Sequence, residues 1–140
     1  QNPSLKQLMG FHASNKMLLL AHDNTQKTIL GKLLATAEFS SNALLDEYET
    51  RFMTALNKPT TRGQNINVIH HLSSSLKTHL NKLERNALET TLDEYRKGWV
   101  PLTTPLVLLQ HYLSTHTSPW IENQTYLDPY PRDLALRSHV

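Results

Sequence analysis

The chain has 140 residues, of which 39% are hydrophobic and 19% are charged, so it is ordinary globular sequence of a length typical of one domain, and not a disordered tail. It contains no cysteine, which excludes disulfides, thiolate zinc sites and any iron–sulfur cluster held by its own residues. Its net charge of +2 is too small to indicate nucleic-acid binding, and its longest apolar run, Met17 to Ala21, is far shorter than the roughly 20 residues that cross a membrane.

The hydrophobic period is helical along nearly the whole chain, and a capping residue precedes most helical segments. The predicted helices cover residues 4–22, 24–37, 42–56, 67–80, 82–97 and 105–116, and a further turn is predicted at 120–124. The longest loop before the later helices is 57–65, and the prolines of 128–131 predict an extended strap. We therefore predict an all-α, single-domain bundle of six to seven helices, residues 1–140, with a Pro-rich C-terminal strap. Because the chain starts with Gln1 and not Met, we expect either a piece of a longer protein or a trimmed stand-alone one.

The stretch 95–112 combines a helix end, a stiff connector and a new helix start. Gly98 can adopt the left-handed conformation that ends a helix, and Pro101 keeps the residue before it extended. Thr104 and Pro105 are typical of an N-cap followed by the first helical position. Four side chains around this joint make it a candidate binding corner: Tyr95, Arg96, His111 and Tyr112.

His12 and Lys16 are the sharpest polar anomaly, because they project from the apolar face of the predicted first helix. A lysine is almost never buried without a partner, since its charge is costly to desolvate. Two interpretations stay open. The pair faces a ligand, or Lys16 meets a buried carboxylate while His12 satisfies a backbone carbonyl.

Positive charge is concentrated in the middle of the chain, where no acidic residue occurs between Glu49 and Glu84. On the predicted fourth helix, His71 and Lys77 lie beside three serines and form a polar surface that a phosphate or a nucleobase could approach. A simple solvated helix face is the alternative. Asn67 is expected to be the N-cap of this helix.

No sequence motif of a known catalytic or metal site is present, neither HExxH nor a P-loop nor GxSxG. A metal site built across helices from four of the histidines (His12, His22, His71 and His111) stays open, but no ligand spacing supports it. We therefore assign no metal, no cofactor and no catalytic residue.

Motifs along the whole chain are similar to those of one bacterial family. In the first half they are Phe11-His12, Lys16, Leu20-Ala21-His22, Leu30-Gly31, Ala35, Asn67-Val68, His71 and Lys77. In the second half they are Tyr95-Arg96, Gly98, Pro101-Leu102, Pro105-Leu106, His111-Tyr112, Gln124, Tyr126-Leu127, Pro129, Pro131, Leu134 and Leu136-Arg137. With these residues the chain resembles the YbgA-like family, a domain of unknown function.

The resemblance implies an all-helical domain that occurs alone or after a cysteine-bearing desulfidase domain. That partner domain would hold an iron–sulfur cluster and remove sulfur from thiolated uracil, for example from tRNA 4-thiouridine. The helical domain would then be an accessory, cytoplasmic, nucleic-acid-binding partner with tRNA as its RNA, with no membrane contact and no catalysis of its own. The expected binding residues are His12, Lys16, His22, Asn67, His71, Lys77, Tyr95, Arg96, His111 and Tyr112, with Arg62 as a further phosphate contact.

Two other functions remain open at this stage. One is a stand-alone small-molecule binder or hydrolase-type enzyme, in which His12 and Lys16 face a pocket with His71 and His111 and one imidazole is a general base. The other is a protein–protein module that docks a catalytic domain through the 120–131 segment.

Overall fold

The computed structural model describes residues 3–116 and 119–127, and within these ranges every regular element is a helix. The all-α prediction is confirmed. Contacts divide the chain into two compact units, the first formed by residues 3–59 with Gln124–Tyr126 and the second by Thr60–Asn123 with Leu127. The predicted single domain stays a prediction, and the predicted strap at 128–131 lies outside the described residues.

Four helices form the first unit: α1 (Leu5–Ser14), α2 (Lys16–His22), α3 (Asn24–Thr36) and α4 (Asn42–Asn57). Ser4, Asp23 and Ser41 cap α1, α3 and α4, because each side chain accepts a hydrogen bond from a backbone N–H of the first turn. All four helices contribute side chains to one apolar core, whose buried members include Leu8, Leu19, Leu30, Leu34, Leu44, Tyr48, Phe52 and Ala55.

The predicted continuous helix from Ser4 to His22 is wrong, since the chain breaks at Asn15 between α1 and α2. In an uninterrupted helix the N–H of Met17 would bond to the carbonyl of Ala13. Here the amide of Gln124 stands between them, because its Oε1 accepts from Met17 N at 3.1 Å and its Nε2 donates to Ala13 O at 2.7 Å. Gln124 is itself buried, so a side chain 107 residues away satisfies both groups of a missing helical bond.

The second unit contains α5 (Arg62–Ser73), a 3₁₀ turn (Ser74–Leu76), α6 (Lys82–Arg96), α7 (Thr103–His116) and the short α8 (Pro119–Glu122). The helices α5, α6 and α7 pack against one another. Their buried side chains include Ile66, Val68, Ile69, Leu72, Leu88, Leu92, Tyr95, Leu106, Leu109 and Leu113.

Three predicted boundaries in this unit are wrong. Helix α5 begins at Arg62 because Thr61 and Gln64 form a reciprocal capping box, so Asn67 lies inside the helix and is not its N-cap. The helix ends at Ser73 and not near Leu80. At this end the serine hydroxyls 73–75 bond to carbonyls three residues back, which favours the tighter 3₁₀ turn.

Helix α7 starts at Thr103, two residues before the predicted start. Pro105 is therefore its third residue and Thr104 is not the N-cap. Pro105 has no N–H, but this costs no helical hydrogen bond, because the N–H groups of the first turn have no partner within the helix.

Gly98 ends α6 in the left-handed conformation, as its place in the sequence predicts, with φ of +79°. Gly98 N donates to Tyr95 O at 3.0 Å and Trp99 N donates to Glu94 O at 2.9 Å. This pair of bonds is the Schellman motif, which satisfies the last carbonyls of a helix and turns the chain sharply away.

In the part of the chain that the structure describes, no helix is long and apolar enough to cross a membrane.

Replacing Gln124 by Met keeps the side-chain volume but removes both bonds to the break. Two buried backbone groups would lose their partners, so we expect the free energy of unfolding to fall by about 2–4 kcal/mol, a drop in melting temperature on the order of 10 °C. Thermal unfolding followed by circular dichroism measures this, with the exposed Lys32→Met as the control. A melting temperature equal to that of the control would show that the clamp contributes nothing.

Candidate functional site

The ten residues expected to bind a ligand or RNA are divided between the two units. The first unit holds His12, Lys16 and His22. The second unit holds Asn67, His71, Lys77, Tyr95, Arg96, His111 and Tyr112. The pocket proposed to contain His12, Lys16, His71 and His111 together would therefore draw on both units. In the second unit His71 and His111 are exposed.

His12 is buried in the last turn of α1, with only 6% of its surface exposed. Its Nδ1 lies 2.9 Å from the Tyr48 hydroxyl, which is also buried. The expected backbone carbonyl partner for His12 is therefore corrected to this phenol. Its other ring nitrogen, Nε2, is buried and has no hydrogen-bond partner among the residues that the structure describes. Burial, together with the nearby positive charges of Lys16 and Lys27, lowers the pKa of His12 below its ordinary value of 6.5 and keeps the ring neutral.

Lys16 is exposed and is the first residue of α2, directly after the break. No carboxylate of the described residues forms an ion pair with it, which corrects the expected buried carboxylate partner. A hollow of about 250 Å³ lies beside it, lined by His12, Lys16, Gly31 and apolar side chains of α1 and α3. His12 and Lys16 therefore do meet at one place in the first unit.

His22 has a structural contact of its own. Its Nδ1 lies 2.6 Å from the carbonyl of Lys58, at the end of α4. The ammonium of Lys58 in turn lies 3.2 Å from the carboxylate of Asp23, which caps α3. These contacts hold the end of α4 against the α2–α3 turn, and they explain His22 without a ligand.

The second unit carries a group of cations around an exposed tryptophan at the end of α6. We call this group the cationic corner and define it as Arg62, Arg96, Lys97 and Trp99. The Lys97 ammonium lies 4.7 Å from the centre of the Trp99 ring, and 69% of the Trp99 surface is exposed. Asp93 pairs with Lys97 and Arg96 at 3.0 Å each, and Lys97 lowers the pKa of that carboxyl.

Arg62 completes the corner from the start of α5. Its guanidinium lies against Gly98, with Nη2 3.4 Å from the point that a Cβ of residue 98 would occupy. It forms no ion pair with any carboxylate among residues 3–116 and 119–127. Its charge is therefore available to an external anion.

The two tyrosines expected to stack on bases are buried. Tyr95 is completely enclosed, its hydroxyl accepts from Asn65 Nδ2 at 3.1 Å, and burial raises its pKa. Tyr112 is buried as well, and its hydroxyl donates to Glu84 O at 3.4 Å. Neither ring can stack on a base in this structure, so the stacking expectation passes to Trp99. The sequence itself indicates that Trp99 is exposed, because a residue directly after a left-handed glycine at a helix end is carried out of the helix.

Lys77 lies at the edge of a second hollow in this unit, of about 590 Å³, with Leu80 and Leu88 among its apolar lining. Arg85 also lines this hollow, but its Nη1 donates to the carbonyls of Lys77 and Leu80, which fixes it to the turn. His70 lies 3.2 Å from Glu89. Of the basic side chains around this hollow, Arg85 and His70 therefore already have partners within the protein.

Asn67 is exposed in the middle of α5.

A family model described as "Protein of unknown function (DUF1722)" matches residues 16–131. The chain is also 29% identical over 132 residues to the protein described as "Uncharacterized protein YbgA" from Escherichia coli (strain K12), which covers 93% of this chain and 78% of that protein. No solved structure matches the chain significantly.

The lowered pKa of His12 predicts how stability depends on pH. Because the unfolded chain takes up this proton near pH 6.5 while the folded chain resists it, acid favours unfolding. We expect the free energy of unfolding to fall as the pH drops below 6.5, by up to about 1.4 kcal/mol per pH unit from this one group. Urea unfolding between pH 7.5 and 5, run on wild type and on His12→Gln, measures that slope. The exposed His71→Gln is the control, and a slope unchanged in His12→Gln would contradict the prediction.

Proposed function

The chain belongs to the family of proteins of unknown function described as DUF1722, and we propose that it serves as an accessory RNA-binding domain with tRNA as its RNA. The proposal rests on the cationic corner. RNA loops and ends are bound by aromatic side chains that stack on unpaired bases, combined with cations that contact the backbone phosphates. The corner offers both kinds of group together.

The exposed indole of Trp99 is the observation that carries the proposal. A tryptophan exposed over most of its surface leaves a large apolar area in water, which a stacked base could cover. The Schellman motif at Gly98 determines where the chain leaves α6, so the indole is presented from a well-formed helix end. The Lys97 ammonium lies over the ring, 4.7 Å from its centre, and so adds a positive charge directly beside the indole.

The charges of the corner suit a polyanion. Arg62 has no ion pair among the described residues, whereas Arg96 and Lys97 share the single carboxylate of Asp93. Among the described residues the ion pairs of the corner involve one carboxylate, so a local excess of positive charge remains unpaired there, although the whole chain carries only +2. Such a local excess attracts phosphate groups regardless of base sequence.

The choice of tRNA, and of a role beside a desulfidase, rests on the YbgA-like resemblance. In this proposal a cysteine-bearing domain, in the same chain or in a separate one, removes sulfur from thiolated uridine in the cytoplasm. The present chain has no cysteine, so in this arrangement it holds the RNA and leaves the sulfur chemistry to its partner.

Replacing Trp99 by Ala tests the stacking contact. Base–aromatic stacking contributes about 1–3 kcal/mol per base, so we expect the dissociation constant for total tRNA to rise roughly tenfold or more. Electrophoretic mobility with thiolated and unthiolated tRNA measures it. The control is Leu83→Ala, which removes another exposed apolar side chain of this unit. Equal tRNA binding by both variants would exclude Trp99 from the interface.

Replacing Arg62 by Gln tests the phosphate contact. If the guanidinium neutralises one phosphate, the slope of log K against log salt should become shallower by about 0.7 to 0.9. The matched control is Lys82→Gln, an exposed cation at the start of α6. The same decrease in both variants would show diffuse attraction and not a contact at the corner, and no binding of any tRNA by folded wild-type protein would overturn the proposed function.

A further inference from the structure

The first unit contains a buried hydrogen-bonding atom that its fold does not satisfy. Nε2 of His12 has no partner within residues 3–116 and 119–127, although only 6% of the residue is exposed. A buried polar atom without a partner loses its bonds to water and gains nothing in return, so such atoms are rare in folded proteins. The neighbourhood of this atom shows what could satisfy it.

Tyr48 determines which ring nitrogen of His12 carries the proton. Burial raises the pKa of Tyr48, so its hydroxyl stays protonated and needs an acceptor. The hydrogen bond to Nδ1 is the one that the structure records for this hydroxyl within the described ranges. The O–H therefore donates to Nδ1. Because the neutral ring carries one proton, Nε2 holds it as an N–H donor.

Gly31 of α3 lies beside that N–H. A Cβ at this position would lie 3.5 Å from Nε2, and apart from the residues next to Gly31 and the backbone of its own helix no other atom of the described residues lies within 4 Å of that point. Any larger residue would place a side-chain atom in van der Waals contact with the N–H. The glycine therefore adds no side chain between this edge of the imidazole and the hollow that both residues line, at the cost of a weaker helix former in the interior of α3.

Lys16 gives the hollow its charge. It lines the same space and is close enough to lower the pKa of His12. It has no ion pair in the described part of the chain. The rest of the lining includes the apolar side chains of Met9, Leu34 and Ala35.

We propose that this hollow binds a small organic carboxylate, with one oxygen accepting from His12 Nε2–H and the charge paired with Lys16. A neutral N–H donor and one ammonium match a single negative charge and two acceptor oxygens. The apolar walls match a short hydrocarbon tail, and the volume of about 250 Å³ limits the ligand to a few heavy atoms. The site lies in the first unit and does not depend on the proposed RNA contact in the second.

The probe is butyrate, titrated into the whole protein at pH 7.5 while the His12 ring signals are followed by NMR. We expect saturable shifts at Nε2 with an affinity on the order of millimolar. Butyramide, which has the same size without the charge, should bind at least roughly tenfold more weakly. Inorganic phosphate is a second arm, and stronger binding of phosphate than of butyrate would overturn the choice of a carboxylate.

Two variants locate the site. Lys16→Gln should weaken butyrate binding roughly tenfold, whereas Lys32→Gln, the same change at an exposed lysine of α3, should not. Gly31→Ala should place a methyl group against Nε2, where the carboxylate oxygen would bind, and so abolish binding. Because alanine is the better helix former, its melting temperature should stay equal or rise, so lost binding would not reflect unfolding.

Three further results would overturn the proposal. The first is no shift of the His12 signals at about 50 mM butyrate, where a millimolar site would be saturated. The others are equal shifts with butyramide and unchanged binding by Gly31→Ala. Trp99→Ala should leave butyrate binding unaltered. A failure here thus leaves the tRNA result standing, and the reverse also holds.

Discussion

The amide of Gln124, inserted where α1 ends and α2 begins, is the contact on which the first unit depends most. It accepts from Met17 N and donates to Ala13 O, and so replaces the helical bond that the break removes. Thr125 adds to it, since its backbone N donates to Ser14 O at 2.9 Å. Without these partners, buried backbone groups would favour one continuous helix. The break ends α1 just after His12 and starts α2 at Lys16, and so places the two residues of the hollow.

Both candidate sites arise at helix interruptions, but the two interruptions differ in their exposure to water. At the break beside His12 a neutral imidazole is buried, and burial keeps its pKa low. Such a site suits a small ligand, because the hollow beside the imidazole has a volume of only about 250 Å³. At Gly98 the helix ends in solvent, and charged side chains surround the exposed Trp99. That surface suits a large polyanion, because exposed charges act on ligands that approach from solution.

Predictions from sequence were most reliable where one residue decides the local backbone. Gly98 shows this, because a left-handed helix end favours glycine and the surrounding pattern already marked a helix C-terminus. They were wrong where two residues act together or where distant chain intervenes. The prediction of Asn67 as an N-cap is wrong, because Thr61 and Gln64 form a reciprocal capping box that starts α5 at Arg62. Tyr95 was expected at a surface, although its spacing on α6 also fits the buried face where its ring lies.

The amino-acid sequence by itself determined the all-helical class, most of the caps, and the polar character of His12 and Lys16 on an apolar helix face, because these follow from local period and local hydrogen bonding. Only the tertiary structure decided what those residues do. The hydroxyl of Tyr48, 36 positions from His12, orients the imidazole, and Gly31 places no side chain against Nε2. Such contacts depend on the packing of separate helices, and the spacing of residues along one helix carries no information about them.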